Sequence, residues 1–430
     1  MKFVTTVLTT LFLSNPAYAQ QVIPLMETHG LYNAYVIPMT ERNRVDVQLV
    51  VLSGTNDEDV IANVAHYTEH LAALSSDTAV LQEPRQRDLN AFTSKVSTVY
   101  GNSGTLDEID KLMKLTRAVL DKPDLPADFT QSEIDIVKRE VLYTERNAPV
   151  RWLRRLAIQN LYGSKTGRAD DAVTDLDRIS VDAALEFHAK HYQPSNAMII
   201  ISGNINPETA QAKLTEYFGD TIKTQQVPDV WLDHHPEPDL RSVVRIETSR
   251  ILDDTITYAK FFEFAEPQDI LAMQASFFIA SDIYNSHINN ALYLEGFTVQ
   301  NFSQSSYIAI DGDLEYTVYM TPFEGVSLDQ ALAALETAIA EMRNKEITAE
   351  EIDIARTKNV AYTKSLSQSP RAYLDFFQNL GSDGLPPTSP TQFAQMVADA
   401  SDAEVLRIID AFASDSPSAA ILATAIEVGQ

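Results

Sequence analysis

The stretch "VAHYTEHLAAL", residues 64–74, places two of the chain's eight histidines four positions apart, with a glutamate between them. Around this stretch, apolar side chains recur at spacings of four, three, four and three residues, at Val60, Val64, Tyr67, Leu71 and Leu74. This period is typical of an amphipathic helix that buries one stripe of its surface. We therefore predict a helix that runs from Asp57 through the stretch.

The histidines of this helix predict a metal site. His66 and His70 are one helical turn apart, so their imidazoles lie on one face, next to Glu69. Two neutral imidazoles at this spacing can share a zinc ion, and a third ligand would leave the fourth position for water. Glu69 could take a proton from that water, and His-x-x-Glu-His is the inverse of the commoner zincin order. The alternative is an amphipathic helix with incidental histidines.

The beginning of the chain predicts export. Residues 1–19, "MKFVTTVLTTLFLSNPAYA", have a lysine, then a short apolar run, then small residues, which is the order of a secretory signal peptide. We expect a periplasmic or secreted protein, and no later segment is apolar for long enough to span a membrane. The formal charge of −27 argues against nucleic acid as a partner. With no cysteine, a metal would be bound by His, Asp or Glu.

Two similar segments indicate an internal duplication. "TQSEIDIVKREVLYTE" from Thr130 and "TAEEIDIARTKNVAYT" from Thr348 both begin with the threonine and glutamate of a capping box, which predicts a helix start. Upstream of each lies a strand-like run, at residues 44–54 and 254–264. We predict an α+β fold with an N-terminal domain at residues 20–222, a Pro-containing linker at 223–241 and a homologous C-terminal domain at 242–430.

The helix from Thr130 offers a third metal ligand. Glu145 follows one turn after the apolar stripe formed by Ile134, Val137 and Val141. A carboxylate on that face needs a partner, because an unpaired buried charge is costly, and zinc would supply one. The position 218 residues later is Thr363. We therefore predict that only the N-terminal domain binds the metal.

These residues resemble the pitrilysin/insulinase family of zinc peptidases, which includes the mitochondrial processing peptidases. Besides residues 66–70, "NAFTSKVSTVY" (90–100) is similar to a strand near the family's active site. "REVLYTE", which ends at Glu145, resembles the segment that supplies the third ligand. "FHAKHYQPSNAMIIISGNI" (187–205) is similar to the family's Tyr-x-Pro-x-Asn segment and the buried strand after it. The resemblance covers the mature chain, more strongly in its first half.

The resemblance implies a function for each part of the site. The zinc ligands would be His66, His70 and Glu145, and Glu69 would activate water for attack on a peptide carbonyl. The two homologous domains would form half of a clamshell that cuts short or unfolded peptides.

The resemblance also implies where a peptide binds. An extended substrate would pair with the backbone of Asn90 and Ala91, as an added strand. Phe92 would line the pocket beside the cleaved bond, although a place in the core is an equal alternative. His188 and His191 match a structural segment of the family, so we do not assign them to a metal.

The sequence departs from the family at two places. Seven residues before the third ligand the family usually has a glutamate, whereas here that position is Lys138. Active single-chain members carry an arginine and a tyrosine at positions that align with Tyr293 and Val299. The resemblance therefore implies the catalytic subunit of a heterodimer whose homologous partner supplies this pair, with a homodimer as the fallback. A non-catalytic scaffold and a peptide-binding subunit with structural zinc stay open as alternatives.

Overall fold

The structure is a computed structural model of the chain. It describes residues 22–426 except for 27–29, 40–41, 59–60, 82–89, 163–173, 222–235, 263–269, 298–301, 309–313, 370–371, 374, 377–378, 381–384 and 386. The predicted signal peptide and most of the predicted linker lie outside the described residues. The predicted domain bounds stay predictions.

The first sheet contains six strands, whose spatial order is β1-β2-β6-β3-β5-β4. Strands β2 and β6 are parallel, and the other neighbours are antiparallel. The run "AMIIISG" of β6 is buried along its whole length, because both faces of this central strand are covered. The strands are β1 (Ile23–Pro24), β2 (Asn33–Pro38), β3 (Val45–Val51), β4 (Asn90–Thr93), β5 (Thr98–Gly104) and β6 (Ala197–Gly203).

The described residues of the first half contain six α-helices. They are α1 (Val64–Leu81), α2 (Ile109–Ala118), α3 (Ala127–Asn147), α4 (Pro149–Tyr162), α5 (Val181–His191) and α6 (Pro207–Phe218). Helices α1, α2, α5 and α6 contribute apolar side chains to one core with β2, β3 and β6. Helix α3 packs on the other side of α1, in a separate apolar cluster. Helix α1 is therefore enclosed by the sheet on one side and by α3 on the other.

The second sheet contains five strands in the order β7-β11-β8-β10-β9. These are β7 (Arg241–Thr248), β8 (Thr255–Phe262), β9 (Phe302–Ile308), β10 (Leu314–Met320) and β11 (Ser418–Ala425). Their helices are α7 (Ile270–Leu294), α8 (Leu328–Glu341), α9 (Ala349–Leu366), α10 (Pro390–Asp399) and α11 (Asp402–Ala413). None of the helices in the described part of the chain is both long and apolar enough to cross a membrane.

The two sheets repeat one topology. In each sheet the first and last strands of the repeat pair in parallel, as β2 with β6 and as β7 with β11. The remaining three strands then follow in the same antiparallel order, β6-β3-β5-β4 and β11-β8-β10-β9. In both repeats a long helix follows the second strand, as α1 and α7. The mixed α+β class with two similar units is thus confirmed.

Helix α4 connects the two halves. Its Leu153, Ala157, Ile158 and Leu161 are buried against β8 and β11 of the second sheet. In the opposite direction, Tyr373 is fully buried on the face of the first sheet that α1 does not cover. Each half therefore supplies side chains that cover the sheet of the other.

Two helix starts differ from the sequence prediction. Helix α1 begins at Val64 rather than near Asp57, because Asn63 has φ 66°, a left-handed conformation that interrupts a helix. Helix α3 begins at Ala127, three residues before Thr130, so the expected capping box does not start it. In the second half the prediction is confirmed, since Thr348 caps α9 and forms the box with Glu351.

Candidate metal centre

Helix α1 is held against α3 by an apolar stripe next to the face that carries His66 and His70. Tyr67 and Leu71 are buried in the cluster with Ile134, Val137 and Val141 of α3. The Tyr67 hydroxyl also donates a 2.9 Å hydrogen bond to a backbone carbonyl of α3. The apolar stripe that predicted this helix therefore holds α1 against α3.

Three potential donor atoms come together between α1 and α3. The Nε2 atoms of His66 and His70 are 3.2 Å apart. Oε2 of Glu140, on α3, lies 3.5 Å from each of them. These three residues are the one group of three or more metal-ligating side chains found in the described part of the chain.

The size of this triangle suits a tetrahedral ion. With ligand bonds of about 2.0 to 2.1 Å, the edges of a zinc tetrahedron are roughly 3.3 Å long. The observed separations of 3.2, 3.5 and 3.5 Å match that value without any rearrangement. An ion there would have two nitrogen ligands and one oxygen ligand, with a fourth position open to the cavity.

Glu133 fixes the orientation of the His70 ring. Its Oε2 lies 2.8 Å from Nδ1 of His70, so the other ring nitrogen faces Glu140 and His66. A carboxylate on the far nitrogen of a ligating histidine sets its tautomer and increases its basicity. Burial by itself would lower the pKa of His70, but the carboxylates of Glu133 and Glu140 raise the pKa to about 9. The same two imidazoles hold the pKa of Glu140 well below its usual range.

Glu69 is a buried carboxylate beside the donor triangle. It is 6% exposed, and its Oε2 accepts a 2.7 Å hydrogen bond from the Thr93 hydroxyl. Burial raises the pKa of Glu69, although His66, Thr93 and His70 act in the opposite direction. A carboxylate with a raised pKa can both accept and return a proton near neutral pH.

A cavity of about 490 Å³ opens onto these groups. Its wall includes the donor triangle, Glu69 and all four residues of β4, which forms one edge of the first sheet. Phe92 is 42% exposed, which places it on the cavity wall rather than in the core. Asn90 and Ala91, the predicted substrate-binding residues, line the same cavity.

The third ligand predicted from the sequence is Glu145. The side chain of Glu145 lies outside the described residues, so its assignment stays a prediction. Glu140 is the described carboxylate that lies beside the imidazoles, and Glu133 precedes it by seven residues. That spacing is the one the family resemblance implies, five residues earlier than expected. Lys138 instead forms an ion pair with Asp177, 2.9 Å away.

The second half retains part of this arrangement. Nε2 of His287 on α7 lies 2.9 Å from Oε1 of Glu351 on α9. This contact resembles the one between His70 and Glu133. The glutamates are 218 positions apart and the histidines 217. At the same offsets, His66 corresponds to Ile283 and Glu140 to Lys358, so two of the three metal donors have no counterpart there.

The two histidines that we did not assign to a metal are buried elsewhere in the fold. His188 is buried and lies 3.0 Å from the carbonyl of Val119, and His191 is buried as well. Arg356 is bound by two carboxylates, Asp353 on its own helix and Asp402 on α11. Tyr293 is 67% exposed at the end of α7.

Part of the chain matches a known family model. Residues 178–359 match the family model described as the peptidase M16 inactive domain. This M16 match covers most of the second half and does not include the donor triangle. The chain is also similar to zinc proteases at low identity. It is 25% identical over 358 residues to the uncharacterized zinc protease YmfH of Bacillus subtilis, covering 79% of this chain and 80% of YmfH.

Solved structures of other proteases show a similar fold. A protease from Helicobacter pylori has a TM-score of 0.76 at 16% identity, with 95% of this chain and 100% of that chain covered. The first half of the periplasmic protease PqqL from Escherichia coli has a TM-score of 0.70 at 15% identity, with 94% and 92% covered. The chain spans 36% of the length of PqqL in the sequence comparison. Its fold thus corresponds to one half of that larger protein.

Proposed function

We propose that this protein is an exported zinc metallopeptidase that hydrolyses short or unfolded peptides. The observation that supports this proposal most strongly is the triangle of donors from His66, His70 and Glu140. This triangle has the size of a zinc site and adjoins the buried Glu69. The similarity to zinc proteases such as YmfH supports the same metal and reaction.

The chain's own residues would divide the chemistry between them. Zinc, when bound, supplies a Lewis acid that polarises a carbonyl and lowers the pKa of water. Glu69 accepts a proton from the attacking water at its carboxylate and can deliver it to the departing amine. Thr93 keeps one oxygen of Glu69 hydrogen-bonded, so the other is the oxygen available for proton transfer. Glu133 holds the His70 ring in place.

Strand β4 would bind the substrate. It lies at the edge of the first sheet and lines the cavity that contains Glu69. An extended peptide can add to such an edge through backbone hydrogen bonds, which gives affinity with little sequence preference. Asn90 and Ala91 would supply that backbone, and Phe92 an apolar contact for one substrate side chain.

A partner subunit belongs to this proposal. The residues that align with the family's arginine and tyrosine are Tyr293 and Val299, so this chain lacks the pair at those positions. A homologous subunit that carries the pair would complete a clamshell as a heterodimer, and a homodimer is the fallback. Co-purification from the native host, followed by sequencing of the bound chain, tests which of the two forms.

A non-catalytic scaffold or peptide-binding subunit is the second candidate. The observation that favours it is the match of residues 178–359 to the M16 inactive domain. A scaffold alone has no physical need for three zinc-sized donors next to a buried carboxylate. For this reason we place the peptidase first.

The deciding experiment uses the purified mature chain with Glu69→Gln as its matched variant. Cleavage of an unstructured peptide library is measured together with bound metal on the same samples. A peptidase gives one metal per chain in both proteins and cleavage in the wild type alone. Metal without cleavage in either protein points to the missing partner, and absence of metal favours the scaffold.

A further inference from the structure

A buried carboxylate of the second half contacts the β4–β5 hairpin of the first half. Glu315 on β10 is 7% exposed, and its Oε2 accepts a hydrogen bond from Nζ of Lys95. Its other oxygen accepts a 2.9 Å hydrogen bond from the hydroxyl of Tyr162. Burial by itself would raise the pKa of Glu315, but the Lys95 ammonium and the Tyr162 hydroxyl lower it. The carboxylate is therefore stabilised by two groups that both belong to the first half.

Lys95 lies in the turn that joins β4 to β5. Thr93, the last residue of β4, precedes it by two positions and is the residue that hydrogen-bonds Glu69. The turn is also held internally, since the Ser94 amide donates a 2.8 Å hydrogen bond to the Ser97 carbonyl. A displacement of Lys95 is thus transmitted over a short, rigid turn to Thr93.

The other side of this turn is fixed by the first half. The Thr55 amide donates a 3.0 Å hydrogen bond to the Ser94 carbonyl. A Cβ added at Gly54 would lie 2.4 Å from the same carbonyl oxygen, so the two backbones are in direct contact. The hairpin turn is therefore held between Gly54 on one side and Glu315 on the other.

Tyr162 anchors Glu315 at its second oxygen. It is the last residue of α4, the helix whose apolar side packs on the second sheet. Its ring contacts Phe261 edge to face, with centroids 5.8 Å apart. Phe261 is the β8 residue paired with Glu315 in the sheet register. The position of the carboxylate is thus set by the interface between the halves rather than by the hairpin.

We propose that Glu315 is a positioning residue, through which the half without metal donors sets the place of β4 and of Thr93 relative to Glu69. The kinetic part of this inference rests on the proposed peptidase function, whereas its structural part does not. The ion pair matters because the buried carboxylate of Glu315 would be an uncompensated charge without the Lys95 ammonium. Its placement at the substrate-side hairpin gives the second half a direct influence on the site.

Three variants and one control test this role. Lys95→Met removes the ammonium from a partly exposed position, Glu315→Gln removes the charge with nearly the same shape, and Lys95→Arg keeps the ion pair. The control is Arg250→Met, since the Arg250 guanidinium lies 4.4 Å from the ring of Trp152 and also joins the halves, but without touching the hairpin. Hydrogen exchange at residues 90–97, bound zinc, kcat and KM are measured for each purified protein.

The expected result is faster exchange at residues 90–97 in Lys95→Met and Glu315→Gln, with zinc content unchanged. In these two variants kcat falls about tenfold or more, as for other small displacements of catalytic groups. Lys95→Arg and Arg250→Met keep wild-type exchange in the hairpin and wild-type kcat. Unchanged exchange at residues 90–97 in Lys95→Met overturns the inference, and so does a loss that Arg250→Met reproduces. If the wild type neither binds zinc nor cleaves peptides, the proposed function fails, and the exchange data still decide the positioning role.

Discussion

The hydroxyl of Thr93 on the edge strand β4 donates a 2.7 Å hydrogen bond to Oε2 of Glu69 on α1. One strand thus carries both the backbone on which a peptide would pair and the group that orients the proposed general base. In the proposed peptidase, substrate binding and proton transfer would therefore be coupled through two adjacent residues of one strand, Phe92 and Thr93.

Thr93→Val should lower kcat while leaving bound zinc unchanged. The valine has nearly the same shape but cannot donate to Glu69, and loss of a hydrogen bond to a charged group costs about tenfold in rate or more. Thr93→Ser retains a hydroxyl and should stay close to the wild type. Peptide hydrolysis at saturating substrate, with metal analysis, measures both effects. Equal kcat for Thr93→Val and the wild type would show that Glu69 needs no such partner.

Glu140→Gln should reduce bound zinc well below one per chain, whereas Glu145→Gln should retain it. Glu140 lies 3.5 Å from both imidazole nitrogens. Positions five apart on an α-helix are separated by about 140° around its axis, so positions 140 and 145 do not share one face. Zinc content after dialysis compares the two variants. Loss of zinc in Glu145→Gln alone would restore Glu145 as the ligand.

The sequence predicts helix α1 well, but it does not predict which carboxylates of α3 lie beside the histidines of α1. The period of Tyr67 and Leu71 identifies α1 and places its histidines on one face. On α3 the apolar stripe ends near Val141, and following it by one turn leads to Glu145. The carboxylates that meet the histidines instead occupy the row of Glu133 and Glu140, two turns apart. Only the packing of α1 on α3 determines which row faces the metal donors.

The capping-box pattern at Thr130 and Glu133 predicts a helix start that the structure does not have. Thr130 and Glu133 have the spacing of a capping box, yet α3 begins earlier and Glu133 binds His70. The equivalent Thr348 and Glu351 do form the box. The same threonine–glutamate spacing thus forms a helix cap in one repeat only, whereas the glutamate contacts a histidine in both. The strand-like runs predicted at residues 44–54 and 254–264, by contrast, contain β3 and β8.

Glu133→Gln should weaken zinc binding by about 10- to 100-fold, because residues that support a ligand commonly have effects of this size. The glutamine loses the negative charge that faces Nδ1 of His70. Glu351→Gln is the matched control, since it removes the equivalent carboxylate beside His287, where the other donors are missing. Competition with a zinc chelator measures both affinities. A similar change in the two variants would mean that Glu133 acts only on general stability.

Lys260 should make the stability of the second half depend on pH. It is 3% exposed on β8, and its Nζ donates to the carbonyls of Phe412 and Ser414, 3.1 and 2.6 Å away, at the end of α11. Burial, with the positive charges of Arg343 and Arg241, lowers the pKa of Lys260 to about 7. The unfolded chain therefore binds more protons than the folded one from about pH 7 up to the ordinary lysine pKa. Over this window the free energy of unfolding rises with pH, by at most about 1.4 kcal/mol per pH unit from this group.

Lys260→Met removes that contribution, so its free energy of unfolding should rise less than that of the wild type between pH 7 and 9. Urea unfolding at pH 7, 8 and 9 measures the difference, with the exposed Lys345→Met as control. The methionine also leaves two carbonyls without the N–H groups of Lys260, which lowers stability across this pH range. The slope with pH, rather than the offset, is therefore the informative quantity. Parallel curves for Lys260→Met and the wild type would show that the buried ammonium keeps an ordinary pKa.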